Sequence, residues 1–209
     1  MSSNSFSMTI WAIVPVKPLR LGKSRLSGVL NDEERAALNR KMLEQTLETL
    51  RDTPEIGQTL VVSRDPAALS IARQHGARTV HEDGAPDMNS ALARATLLAR
   101  IYASQGVLVL PADLPLLTKD DLHLFLQSVR IPPCVVISPD RHDNGTNAFL
   151  VAPGGLVACD FGPGSFKRHC AAALSAGAKL EVVRNERIML DLDTPDDLAL
   201  FRQIEKSKA

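Results

Sequence analysis

Val107-Leu108-Val109-Leu110-Pro111-Ala112-Asp113-Leu114-Pro115 reads as a wholly apolar strand that stops at a proline and delivers one carboxylate just beyond its end. A run of branched apolar residues without polar alternation suits a strand covered on both faces, as in parallel sheets held between helical layers. Such sheets keep their ligand crevice outside the carboxyl ends of the strands. The plain structural role for Asp113 is to cap a turn, which aspartate does well. The two prolines already fix this turn, however, so the carboxylate is free for other work, and a metal is the favoured partner.

The pattern extends in both directions. Ile10 to Val16 is a short β-branched run, closed by Pro15 and Pro18, that predicts the first strand. Asn31 with Glu34 forms a capping pattern, and Leu38, Met42, Gln45 and Thr49 keep helical spacing until Pro54. Thr59 to Ser63 predicts a strand, Asp65-Pro66 a helix start, and Gly76 its end. Ala77 to Val80 predicts a third strand and Asn89 to Ser104 an alanine- and leucine-rich helix.

Thr118 with Asp121 opens a helix through Val129, and strands are expected at Cys134 to Ser138 and Asn147 to Val151. Gly162 to Ser165 opens a helix ending near Gly177, Leu180 to Val183 reads as a strand, and Thr194-Pro195 starts the last helix. Asp196 and Asp197 complement that helix's dipole. The alternation predicts one α/β domain over 8–205, a three-layer sandwich around a mostly parallel mixed sheet of Rossmann-like kind.

With 209 residues and 44% hydrophobic content, the chain can bury a core of its own. Lys plus Arg equals Asp plus Glu at 24 each, so no global positive field favours nucleic acid or an anionic membrane. Cys134, Cys159 and Cys170 are odd in number and widely spaced, which predicts reduced thiols without a disulfide framework or zinc site. The polar leader 1–7 reads as a disordered tail, and cytoplasm is the expected location.

Three further segments carry chemistry. The loop from Val14 to Leu26 holds four basic residues, Lys17, Arg20, Lys23 and Arg25, directly after the first strand. Gly22-Lys23-Ser24 is not a Walker A motif, because Lys17 occupies the position where that motif needs its first glycine. Lys17, Lys23 and Arg25 are candidates to meet a triphosphate, against the alternative of a solvated basic loop. In Met189-Leu190-Asp191-Leu192-Asp193-Thr194-Pro195, an extended backbone turns Asp191 and Asp193 to one side, where two like charges invite a cation.

Asp193 also stands at a helix start, so capping competes with ligation there. Magnesium fits such a carboxylate set, since it binds few protein oxygens and takes the rest from water and phosphates. Asn144-Gly145-Thr146-Asn147 and Phe161-Gly162-Pro163-Gly164-Ser165 form the third segment, the latter opening a helix whose free N–H groups suit an anion or an ordinary N-cap. His75, His81, His123, His142 and His169 lack metal spacing, read as surface or loop residues, and receive no role.

In combination, these segments resemble the phosphoenolpyruvate or 2-phospho-L-lactate guanylyltransferase family of coenzyme F-420 biosynthesis, related to molybdenum-cofactor-type nucleotidyltransferases. The resemblance runs from Ile10 to Arg202. It rests on Val16-Lys17-Pro18-Leu19 with Lys23-Ser24-Arg25-Leu26, Asp87-Met88-Asn89-Ser90-Ala91-Leu92, Ala112-Asp113-Leu114-Pro115, Gly145-Thr146, Phe161-Gly162-Pro163-Gly164-Ser165 and Asp191-Leu192-Asp193-Thr194-Pro195.

The resemblance implies a nucleotide-diphospho-sugar transferase-like fold, with Asp113 and Asp191 holding magnesium; Asp193 is a further candidate metal ligand from its spacing alone. The resemblance also implies that Thr146, Gly162 and Ser165 bind the phosphorylated acid and that Asn89 helps hold GTP. Lys17 and Pro18 stand where sugar nucleotidyltransferases place glycines, which weakens a sugar-phosphate reading. Two rivals remain: a transferase using CTP or UTP with a sugar, alditol or pterin phosphate, and a non-catalytic nucleotide-binding module. A homodimer is the expected assembly.

Overall fold

A computed structural model describes residues 9–84 and 87–207 of the chain. The expected tail 1–7 lies outside them. Seven strands form one sheet: β1 (Ile10–Val16), β2 (Ile56–Ser63), β3 (Arg78–His81), β4 (Gly106–Val109), β5 (Cys134–Pro139), β6 (Thr146–Ala152) and β7 (Lys179–Val182). Their order is β3-β2-β1-β4-β6-β5-β7. All pairings are parallel except those of β6, which runs against both β4 and β5. The sheet is therefore mixed and mostly parallel, as the alternation predicts.

The reversal of β6 positions the site. Phe149 pairs with Val109 at the carboxyl end of β4, so the first residues of β6, Thr146 and Asn147, extend past that end toward Asp113. A parallel strand would have sent its last residues there. No periodicity in the sequence signals the reversal, since all seven residues of β6 are buried and show no alternation.

Helices cover both faces. Beside one face lie α1 (Asp32–Arg51), α2 (Pro66–Gln74), α4 (Lys119–Gln127) and α6 (Glu186–Met189), and beside the other α3 (Met88–Ile101) and α5 (Ser165–Ser175). The strands divide their side chains by the two-residue period: Ala12, Val14, Leu108 and Leu110 join the first cluster, Ile13, Val107 and Val109 the second. Local signals set the helix ends. Asn31 and Glu34 form a capping box on α1, Asp65 caps α2 ahead of Pro66, and Asp87 accepts from the N–H groups of Asn89 and Ser90.

Two elements are absent from the sequence expectations, a 3₁₀ turn at Ser24–Leu26 and the four-residue α6. Both are too short to display a period. The last helix, α7 (Pro195–Lys206), packs through Leu198 onto a third cluster formed by Leu26, Met42 and Leu192. This small cluster ties the basic loop, the middle of α1 and the Asp191–Asp193 segment together. All three cysteines are free thiols, and burial pushes Cys159 up to about 12. Among the described residues, no helix is long and apolar enough to cross a membrane.

Leu192 is fully buried between two acidic neighbours. Leu192→Ala should destabilise the fold by about 2–5 kcal/mol, whereas Leu97→Ala, at an exposed position, should cost far less. Urea denaturation of both variants checks this, and equal losses would contradict the anchoring role of the third cluster.

Candidate active site

The basic loop is held from several sides. The Leu19 N–H donates to the Asp65 carboxylate at 2.8 Å, and the Asn39 amide of α1 donates to the Leu19 carbonyl at 2.7 Å. Gly22 packs so closely on Asn39 that an added Cβ would lie 2.7 Å from its amide nitrogen. The next residue, Lys23, takes a left-handed backbone conformation, φ 59° and ψ 37°. For a side chain other than glycine this costs about 1–2 kcal/mol, and such strain persists where the surroundings hold it.

Lys23 has such surroundings. Its ammonium donates to Asp113 at 2.8 Å and to Asp193 at 2.7 Å, with the side chain only 6% exposed. Burial pulls its pKa down, but the two carboxylates outweigh this and hold it above the usual lysine value. A backbone bond makes the same join, the Leu192 N–H donating to the Asp113 carbonyl at 3.0 Å. Residues 170 positions apart, Lys23 and Asp193, thus meet at the end of β4.

Among the described residues, Asp191 has no such cation. Burial raises its pKa to about 6, with Asp113 and Asp193 adding to the rise. The Asn147 amide at the start of β6 steadies the segment, donating to the carbonyls of Ile188 at 3.0 Å and Met189 at 3.1 Å, and more distantly to Asp191. Asp193 goes the other way: burial raises it, yet Lys23, then Lys17 and Arg25, bring it below its ordinary value. Lys17 and Arg25 are themselves exposed and act on Asp193 through their charge.

The alternative role for Asp193, capping α7, belongs to its neighbours. Thr194 and Asp197 form that capping box, and Asp193 contributes only its backbone N–H to the Asp197 carboxylate. Its carboxylate is spent on Lys23. Among the described residues, no three His, Cys, Asp or Glu side chains form a ready-made metal cage. What converges is one ammonium, Lys23, shared by Asp113 and Asp193, with Asp191 beside them and no ammonium of its own among the described residues.

A second wall is built from β6 and α5. Asp140 organises the turn into β6 by accepting from the N–H groups of His142, Asn144 and Gly145 at 2.7–3.0 Å. The Thr146 hydroxyl meets the Ser165 hydroxyl at 3.1 Å, and Gly162 sits at φ +133°, a region side chains avoid. Ser165 touches both, its hydroxyl on Thr146 and its N–H on the Gly162 carbonyl, so the three residues lie together. At the start of α5 three N–H groups are already engaged: Gly164 donates to the Asn144 side chain, Ser165 to the Gly162 carbonyl and Phe166 to the Asn144 carbonyl.

Asn89 clasps this wall to α3. Its side chain accepts from the Phe161 N–H at 2.8 Å and donates to the Phe161 carbonyl at 3.1 Å. In this structure the residue expected beside the nucleotide fixes the loop before α5. His169, given no role from sequence, is 1% exposed and bonded to Thr146. The sequence did hold a signal, since position 169 lies one helical turn after Ser165 and shares its face.

Comparison with known proteins agrees with this architecture. The family model described as "Guanylyl transferase CofC like" matches residues 10–203. A phosphoenolpyruvate guanylyltransferase of Rubrobacter xylanophilus is 42% identical over 192 residues, covering 92% of this chain and 93% of the relative. One from Conexibacter woesei is 36% identical over 202 residues, covering 96% and 91%. Among solved structures, 4-diphosphocytidyl-2C-methyl-D-erythritol synthase of Anaerococcus prevotii superposes with a TM-score of 0.65 at 13% identity, covering 96% of this chain and 97% of that one. At that identity the likeness shows the fold, which is the nucleotide-diphospho-sugar transferase-like one. With the family match spanning nearly all described residues, the chain belongs to the CofC-like guanylyl transferases and is a nucleotidyltransferase.

Proposed function

We propose that the protein transfers the guanylyl group of GTP to the phosphate of a small phosphorylated carboxylic acid, with magnesium, in the biosynthesis of coenzyme F-420. Phosphoenolpyruvate leads among the acceptors because the relatives carry its name; 2-phospho-L-lactate and 3-phosphoglycerate differ from it by a few atoms. The observation that carries the reading is the meeting of Asp113 and Asp191, from segments far apart in sequence, with the charge of Asp191 left unbalanced.

The donor set fits the ion. Two carboxylates of this kind supply the few hard oxygen ligands that magnesium takes from protein, and phosphates and water supply the rest. Bound by Asp113 and Asp191, magnesium would offset phosphate charge and help orient the reacting oxygens. Asp193 is the weaker candidate ligand, being engaged by Lys23.

An acceptor phosphate oxygen attacks the α-phosphorus of GTP, a new P–O bond forms, the bond to the β-phosphate oxygen breaks, and pyrophosphate leaves. A phosphate monoester with a second pKa near 6 is already mostly dianionic at neutral pH, so no side chain need remove a proton. The chain's task is to hold two anions together. In this reading exposed Lys17 and Arg25 face the triphosphate, Lys23 bridges Asp113 and Asp193 beneath it, and the Thr146–Ser165 pair receives the acid.

Asp113→Ala and Asp191→Ala should each abolish turnover while the fold survives, read as pyrophosphate release from GTP with phosphoenolpyruvate. Near-normal rates in either variant remove the metal assignment. A panel of GTP, CTP and UTP separates this reading from a cytidylyl or uridylyl transferase, and no turnover with any of them would leave a binding module.

Asp191 gives a second test with a definite sign. Its folded pKa of about 6 exceeds the ordinary carboxylate value, so the native state binds more protons than the unfolded one between the two values. Metal-free protein should therefore gain stability as pH falls from about 6 toward about 4, and magnesium affinity should weaken over the same interval because the ion needs the ionised form. Asp191→Asn should raise metal-free stability at pH 7 by ~1–3 kcal/mol in thermal or urea unfolding. A variant no more stable than the parent speaks against an uncompensated charge at this position.

A further inference from the structure

His169 lies at the centre of the acid-facing wall, stacked on Phe149 at 4.1 Å between ring centroids and met edge-on by Phe161 at 5.0 Å. Its two ring nitrogens have different partners. Nε2 lies 2.9 Å from the backbone nitrogen of Asp160, and Nδ1 lies 3.0 Å from the Thr146 hydroxyl. A backbone N–H can only donate, so Nε2 must accept and carry no hydrogen. The neutral ring then bears its single hydrogen on Nδ1 and donates to Thr146. Burial supports the neutral form, lowering the ring's pKa to about 4 against the opposing pull of Asp160.

The Asp160 N–H is itself held in place. Arg168 donates to the Asp160 carboxylate at 2.6 Å and to its carbonyl at 2.9 Å, and reaches the Pro163 carbonyl as well. The relay therefore runs from Arg168 through Asp160 and His169 to Thr146.

Counting hydrogens shows what this does. Thr146 and Ser165 have two hydroxyl hydrogens between them, and the bond joining the two oxygens uses one. With Nδ1 as donor, the other hydrogen is uncommitted. In the opposite tautomer, Thr146 would have to donate to Nδ1 and Ser165 to Thr146, and neither hydroxyl could donate to a ligand. An anion needs donors, so only one tautomer leaves this wall able to bind one.

We propose that His169 is a positioning residue, locked by the Asp160 N–H as its Nδ1–H tautomer, which keeps one Thr146–Ser165 hydroxyl hydrogen free to donate to the anionic acceptor. This rests on the reading that Thr146 and Ser165 receive the acid.

Steady-state kinetics with GTP, magnesium and phosphoenolpyruvate provide the functional test. His169→Phe keeps a ring but loses both nitrogens, so the Thr146–Ser165 pair retains its spare hydrogen but loses the Nδ1–H bond that fixes the orientation of the Thr146 oxygen; the KM for phosphoenolpyruvate should rise by about 10-fold, the scale of one hydrogen bond no longer held in line with the anion. The KM for GTP should stay within about 2-fold, as no hydrogen bond of the relay reaches the nucleotide side. His169→Asn, whose amide nitrogen can take the place of Nδ1, should restore the acid KM to within about 3-fold. An unchanged acid KM in folded His169→Phe overturns the proposal, as does an equal rise in both constants.

Thr146→Val separates the two possible failures. If Thr146→Val raises the acid KM and His169→Phe does not, the acid subsite stands and the role of His169 falls. If Thr146→Val leaves the acid KM at its parent value, the acid binds elsewhere and both fall. Nitrogen-15 NMR of the ligand-free protein, with His169 assigned by its loss in the variant, reads the tautomer without any substrate. A protonated Nδ1 and a bare Nε2 are expected, and the reverse pattern overturns the proposal even if no variant folds.

Discussion

Negative charge without enough positive charge to match it is the constraint around which this protein is organised. Three carboxylates from two distant segments gather at the carboxyl end of the central strand, and one buried ammonium serves two of them. Bringing like charges together costs free energy in a partly buried setting, more so as the effective dielectric falls. The fold supplies the opposing stabilisation elsewhere: Leu26 and Leu192 are fully buried in one small cluster, so the basic loop and the acidic segment cannot separate without exposing it. A stable scaffold holding a locally unfavourable charge arrangement is common at functional sites, and the cation of the proposed function would relieve it.

The second wall solves a different problem. On the proposed function, an acid here would have to be held by groups that donate hydrogen bonds, yet the polar atoms are buried and would be costly if left unpaired. The reversed strand β6 brings Thr146 and Asn147 to the crevice on opposite faces of the sheet, one toward α5 and the other toward the Asp191 segment. A single strand therefore supports both halves of the site. Asn89, Asn144 and Arg168 fasten the loop before α5 from three directions. Rigidity of this kind favours precise placement of a ligand over adaptation to varied ones.

Much of this was legible in the sequence because it rests on local signals. Continuous apolar strands, Asp65-Pro66 and Thr194-Pro195 as helix starts, and Asp113 between two prolines each state their structure within a few residues. The family resemblance joined segments that no local pattern connects. What stayed hidden depends on partners far away in sequence. The direction of β6 follows from pairing with β4, the commitment of Asp193 to Lys23 spans 170 positions, and the α5 N–H groups are filled by Asn144 from another turn. His169 carries no metal spacing in the sequence, and its place in the structure comes instead from two hydrogen bonds and an aromatic stack.

The central claim is that Asp113 and Asp191 together hold a divalent ion alongside the nucleotide. Manganese can stand in for magnesium at hard oxygen sites and is visible by electron paramagnetic resonance. Titrating it into the protein with a non-hydrolysable GTP analogue should show ion bound with the analogue in the parent chain and lost in both Asp113→Ala and Asp191→Ala. Undiminished manganese binding in both variants, with the analogue still bound, would contradict the account.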